Sequence, residues 1–391
     1  MRLQGMLRAQ LLLLACAVSA SSFALADVPR SFDANVQGAA RSVMQQYGIP
    51  GLAIAVSLKG ERRFYNFGVA SKDTRQPVTS DTLFEVGSIS KTLTVTLAAY
   101  AEATGRLSLK DSPGQYLPEL KGSPLDQVTL IDLATHTAGG FPLQLPENVR
   151  NHQQLMDYYR AWQPQFAPGT YRTYANPSVG LLGVVAAKSL DMPFAKAMEG
   201  ELLPKLGLRS TYIDVPAAAQ SRYAQGYNKE DAPVRVTPAV LAAEAYGVKT
   251  SSKDLLHFIE ANLGLTAADA TLQRALDATR TGYYSLGPMT QDLIWEQYSY
   301  PVALDALLQG NSSRMALESK AVAAITPPLP PQDAVWVNKT GSTNGFGGYV
   351  AFVPSKKIGI VLLANKNYPN EERVKLAYHI LDELDSGTHN P

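Results

Sequence analysis

The sequence is poor in cysteine and histidine. Its 391 residues include one cysteine, Cys16, and five histidines. A lone cysteine this close to the N-terminus excludes a disulfide framework, and it leaves no cysteine nucleophile further along the chain. His136, His152, His257, His379 and His389 form no His-x-His or His-x-x-x-His pair, so a zinc centre is disfavoured and no cofactor is expected. An excess of charge of one sign is also missing. Thirty-five basic residues face 34 acidic ones, for a formal charge of +1. Without a basic stripe or an acidic tail, nothing argues for nucleic acid or a membrane surface as partner. Internal repeats and low-complexity tracts are absent too. What remains is 46% apolar and 18% charged, ordinary globular composition. The chain is long enough for one large core or two joined lobes.

The first 26 residues read as an export signal. Arg2 and Arg8 give a positive start, Leu11 to Ala20 is apolar but too short to span a bilayer, and Ala24-Leu25-Ala26 fits an A-x-A cleavage site. Cleavage before Asp27 removes both arginines and leaves a formal charge of −1. No later apolar run approaches about 18 residues, so the mature chain is expected to be periplasmic and without a membrane segment. A competing reading takes Leu13-Leu14-Ala15-Cys16 as a lipobox, with Cys16 as a lipidated N-terminus, although the apolar stretch before it is short.

Strand patterns sit at both ends of the chain. Asp33 to Tyr47 has helical spacing, with Val36, Ala39, Ala40, Val43, Met44 and Tyr47 on one stripe and Gly48 and Pro50 as the stop. Leu52 to Leu58 and Arg63 to Val69 read as a hairpin turned at Lys59-Gly60. Ala334 to Asn338, Tyr349 to Val353 and Ile358 to Leu363 read as three more strands. A closing helix begins at Asn370, with Glu371 and Glu372 in its first turn and Val374, Ala377, Tyr378, Leu381 and Leu384 facing inward. Between them, Ser88 to Thr104 and Asn176 to Leu190 read as helices. The fold class expected is α/β, an α+β sandwich. An antiparallel sheet is built from both termini (27–85 and 305–391) and flanked by helices, with a mostly helical insert over 86–304 and the site in the cleft between.

Three short motifs follow one another. Ser88-Ile89-Ser90-Lys91 would place an amine beside a hydroxyl, because residues three apart share a helix face. A serine needs such a base to become a nucleophile. Tyr174-Ala175-Asn176 sends two polar side chains the same way from an extended segment. Lys339-Thr340-Gly341, followed by Ser342, reads as the entry to an edge strand lining a cleft. Each has a plain alternative: a helix-capping serine with a solvated lysine, a strand end, a surface turn. Their order, at separations of 86 and 165 residues, is what makes coincidence a poor explanation.

Ser-x-x-Lys combined with Lys-Thr-Gly marks penicillin-recognising enzymes. With Val86-Gly87 before it, Leu133 to Gly140, Pro142-Leu143-Gln144, Glu244 to Lys249, Asn338 to Ser342 and Leu363 to Asn370, the chain resembles a class C (AmpC-type) serine β-lactamase. The likeness runs over nearly all of the mature region and is greatest to pseudomonad-type members. The resemblance implies hydrolysis of cephalosporins and penicillins through a Ser88 acyl-enzyme, with a small-molecule β-lactam as the partner; a monomer is expected, although neither the sequence nor the resemblance gives the oligomeric state. It implies Lys91 and Tyr174 as proton relays and an oxyanion hole from the backbone N–H groups of Ser88 and Ser342. Lys339 would keep the cleft electropositive and tether the Tyr174 oxygen. Thr340, with Asn370 nearby, would hold the substrate carboxylate, Gln144 and Asn176 would bind the side-chain amide, and Tyr246 would form an aromatic wall; Gly341 and Asn367 are also expected among the substrate-binding residues. Glu296 reads as structural. The family commonly has tyrosine where this chain has His136, a position that supports the cleft rather than catalyses. Two rival readings are a D-Ala-D-Ala carboxypeptidase or esterase on the same fold, and a penicillin-binding receptor acylated without turnover, which would need an anchor or partner domain. Class A is disfavoured by the absence of Ser-Asp-Asn.

Overall fold

The computed structural model describes residues 30–387. The export signal, Cys16, the expected cleavage site and His389 lie outside the described residues.

Nine antiparallel strands form one sheet. Their order across it is Ala323–Leu329, Gly282–Leu286, Met289–Asp292, Glu296–Ser299, Val335–Ser342, Gly347–Val353, Ile358–Ala364, Gly51–Leu58 and Glu61–Gly68. The expected hairpin pairs Leu58 with Glu61, and its first strand pairs with the last, Leu52 opposite Ala364. Both ends of the chain therefore build the sheet side by side.

Alternation along these strands creates two cores. Ala53, Ala55, Val337, Val350, Phe352, Val361 and Leu363 face the helical insert. Their neighbours Leu52, Ile54, Val56, Trp336, Ala351, Ile360 and Leu362 face the terminal helices Arg30–Tyr47 and Asn370–Gly387. Of the inward residues expected on the closing helix, Val374, Ala377, Leu381 and Leu384 are buried. Tyr378 is only half-buried, with its hydroxyl on the Val302 carbonyl at 3.2 Å.

Two expectations need correction. Three strands, Gly282–Leu286, Met289–Asp292 and Glu296–Ser299, come from the stretch 86–304 read as insert, and they join the sheet beside Val335–Ser342. They are short and partly polar, without the apolar alternation that marks longer strands. As a result the Lys339 strand is interior, not at the sheet edge. The ladder with Glu296–Ser299 ends at the Glu296–Asn338 pair, however. From Lys339 to Ser342 that flank is open, so the strand becomes an edge only where it meets the cleft.

Candidate active site

Ser88 lies in a 3₁₀ turn, Gly87–Ile89, that runs into the helix Ser90–Ala103. The turn is pressed against the Lys-Thr-Gly strand. A Cβ on Gly341 would come within 2.0 Å of the Val86 carbonyl oxygen, and one on Gly87 within 2.5 Å of the Ser342 nitrogen. Gly87 also has φ +49°, a region that side chains disfavour. Both glycines are therefore required for the peptide groups of 87–88 and 341–342 to lie together.

Lys91 is fully buried in the first helical turn. Its Nζ donates to Ser88 Oγ at 3.1 Å, to Asn176 Oδ1 at 2.6 Å and to the Ala245 carbonyl at 2.9 Å. Burial, opposed by Tyr174 and reinforced by Lys339, lowers its pKa to about 8. A position at the positive end of a helix dipole acts in the same direction.

Tyr174 and Asn176 flank Ala175, whose extended backbone (φ −148°, ψ 134°) precedes the helix Asn176–Ser189 and turns both side chains to one side. The buried Tyr174 ring lies among cations. Lys339 Nζ is 5.0 Å from its centroid, Lys91 Nζ 5.2 Å and the Arg172 guanidinium 5.5 Å. Lys339 also reaches the Tyr174 hydroxyl at 3.5 Å. Burial pushes the tyrosine's pKa up. Lys339, Lys91 and a hydrogen bond with Ser88 together outweigh it and bring the pKa down to about 8.

Two cavities meet at these residues. One, about 160 Å³, is lined by Thr340, Gly341 and Asn370 with Arg172 and Glu296. The other, about 480 Å³, is lined by Gln144, Asn176, Tyr246 and Asn367. Ser88, Tyr174 and Ser342 line both. Asn367 lines the larger cavity, whereas Thr340 and Asn370 line the smaller. Gln144 is exposed and accepts from Asn176 Nδ2 at 2.9 Å.

Three charged neighbours escaped the sequence reading or were only partly read. Arg373 is fully buried, with no carboxylate partner among the described residues. Its Nη1 donates to the Gly341 carbonyl at 2.9 Å and Ser342 Oγ at 2.8 Å, and Nη2 donates to Asn367 Oδ1 at 2.5 Å. Its position one turn after Asn370 was the available signal. Arg172 pairs with Glu296 at 2.8 Å in the floor of the smaller cavity, and Asn338 Nδ2 donates to Glu296 at 3.4 Å. Glu296 is held in structural pairing, as expected of it. Among the described residues, no group of three or more His, Asp, Glu or Cys is gathered as a metal site, and no single helix is long and apolar enough to cross a membrane.

The family model described as Beta-lactamase matches residues 36–385. The chain belongs to the beta-lactamase family. A β-lactamase of Lysobacter lactamgenus is 55% identical over 90% of this chain and 91% of its own length. Among solved structures, a β-lactamase/D-alanine carboxypeptidase from Pseudomonas syringae is 62% identical, with TM-score 0.89 over 90% of this chain and 99% of that one. A class C β-lactamase solved in complex with cefoxitin is 51% identical, with TM-score 0.88 over 90% of this chain and 98% of that one.

Proposed function

We propose that this chain is a class C serine β-lactamase that opens the β-lactam ring of cephalosporins and penicillins through an acyl-enzyme on Ser88. The observation that carries the reading is Tyr174 held between two ammonium groups, one of which also bonds Ser88 Oγ at 3.1 Å.

Ser88 Oγ attacks the lactam carbonyl. Its proton passes to the Lys91–Tyr174 pair and from there to the lactam nitrogen as the C–N bond breaks. The N–H groups of Ser88 and Ser342 receive the developing oxyanion, an effect worth about 3 kcal/mol per donor. The same pair then activates the water that hydrolyses the ester. A pKa lowered to about 8 suits Tyr174 to this base role at neutral pH. Lys339 supplies the positive field that stabilises the tyrosinate. Thr340 and Asn370, beside Gly341 in the smaller cavity, take the substrate carboxylate. Gln144, Asn176 and Asn367 line the acyl side-chain cavity, and Tyr246 forms its wall.

A second reading, D-alanine carboxypeptidase activity, is favoured by the name of the 62%-identical Pseudomonas syringae neighbour. Nitrocefin turnover set against release of D-alanine from a D-Ala-D-Ala peptide separates the two. Stable acylation without turnover would instead indicate a receptor.

The enzyme works as an exported, periplasmic protein, cleaved after Ala26. The Arg2/Arg8 start, the apolar stretch and Ala24-Leu25-Ala26 support this. The mass of the secreted protein should give an N-terminus at Asp27, whereas a diacylglyceryl mass on Cys16 would overturn it.

A further inference from the structure

The larger cavity has a chemical bias that the acylation machinery does not need. Thirteen residues line it, and none is aspartate or glutamate. Among them is the exposed Arg235, far along the chain from the Ser88, Tyr174 and Lys339 motifs.

The Arg235 guanidinium is held in place without being neutralised. It lies over the Tyr223 ring, 3.9 Å from the centroid, and Nη2 donates to the Tyr223 carbonyl at 2.8 Å. Among the described residues it makes no ion pair, and its remaining N–H donors are uncommitted. Its backbone is fixed on both sides. Val234 accepts from Gln225 Nε2 at 3.0 Å, and the Val236 N–H donates to Glu85 at 2.8 Å. Glu85 is buried and also accepts from the Tyr223 hydroxyl at 2.6 Å and Thr343 Oγ1 at 2.6 Å. The nearby carboxylate is thus consumed in positioning the segment, and Thr343 ties that segment to the end of the Lys-Thr-Gly strand. The result is a preorganised cation, without an ion pair among the described residues, on a residue that lines the same cavity as Ser88.

We propose that Arg235 makes the acyl side-chain end of the cleft a subsite for anionic side chains, selecting β-lactams whose acyl group ends in a carboxylate. The inference rests on the hydrolase reading above and names the substrate class which that site prefers. Arginine suits the task, because its planar fork meets a carboxylate with two parallel hydrogen bonds and stays charged at all working pH. Stacking on Tyr223 removes much of the side-chain freedom that an arginine would otherwise lose on binding.

The test compares two probes: a cephalosporin with a terminal carboxylate on its acyl side chain, and its methyl ester. The readout is the ratio of their kcat/KM values. Wild type should favour the acid by about two- to five-fold at low salt, the range of an exposed ion pair. That preference should shrink toward unity at about 0.5 M salt. Arg235→Lys, which keeps the charge but not the fork or the stacking, should keep only part of it, Arg235→Gln should abolish it, and Arg235→Glu should reverse it. A wild-type ratio of one or below, a salt-independent ratio, or a preference that survives Arg235→Gln would overturn the subsite. The wild-type salt series stands even if a variant fails to fold. If wild type opens neither probe, it is the hydrolase reading that fails, and with it this one.

Discussion

His136 clamps Tyr174 from both sides. Its carbonyl accepts the Thr173 N–H at 2.9 Å, and its Nδ1 accepts the Ala175 N–H at 3.3 Å. Its ring lies against the Tyr174 ring, with centroids 4.4 Å apart. The backbone at His136 is left-handed, φ +62°, which is how one residue can present both acceptors to the same extended segment. Since Nδ1 accepts, the ring proton sits on Nε2, which is buried without a partner. The imidazole therefore supports the tyrosine and is not placed as a base toward Ser88.

That clamp predicts a split between two variants. Asparagine tolerates the left-handed backbone and can present an amide oxygen near the Nδ1 position, so His136→Asn should retain kcat/KM to within about five-fold. His136→Phe keeps a ring but orphans a buried N–H, which should cost about 1–3 kcal/mol in urea denaturation and lower activity further than Asn does. Equal behaviour of the two variants would refute the clamp.

Acid should expose the same residue. Burial, with Arg172, Lys91 and Lys339 adding to it, holds the His136 pKa well below its ordinary 6.5. The unfolded chain takes up a proton at 6.5 that the folded chain refuses, so stability falls as pH drops below that value. His136→Asn should lack this increment when unfolding is compared at pH 7.5 and pH 5.5. An identical pH dependence in both proteins would show that His136 takes no part.

Lys339 is the strongest of the charges that lower Tyr174. Removing it should raise the pKa of the Tyr174–Lys91 pair. In Lys339→Ala the rising limb of the kcat/KM–pH profile should move to higher pH by roughly one unit. A limb that stays in place would assign it to another group.

The Arg172–Glu296 pair is a matter of stability more than chemistry. Glu296→Ala leaves a buried guanidinium uncompensated and should cost about 3–5 kcal/mol, read by denaturant titration. Acyl-enzyme formation by the folded fraction should continue, and its complete loss would mean that Glu296 takes part in the reaction.

The reach of the sequence reading follows from how local each signal was. Ser88, Lys91, Tyr174 and Asn176 were legible because helical and extended-segment spacing place them directly: Lys91 bonds Ser88 and Asn176, and the Tyr174 ring lies beside the same ammonium. The terminal strands were legible from continuous apolar runs. The strands between 282 and 299 were not, because cross-sheet pairing rather than local pattern makes them strands. Arg235 and Arg373 were missed for the same reason. What singles them out is the lack of a carboxylate partner among the described residues, a property of the folded neighbourhood alone.

The central claim is that Ser88 carries the acyl group. Mass spectrometry after mixing the enzyme with a slowly released cephalosporin tests it most directly. A single adduct should map to the peptide containing Ser88 and vanish in Ser88→Ala, while the variant's unfolding transition stays close to that of wild type. An adduct that persists in Ser88→Ala on another residue, or β-lactam hydrolysis undiminished by the substitution, would contradict the account.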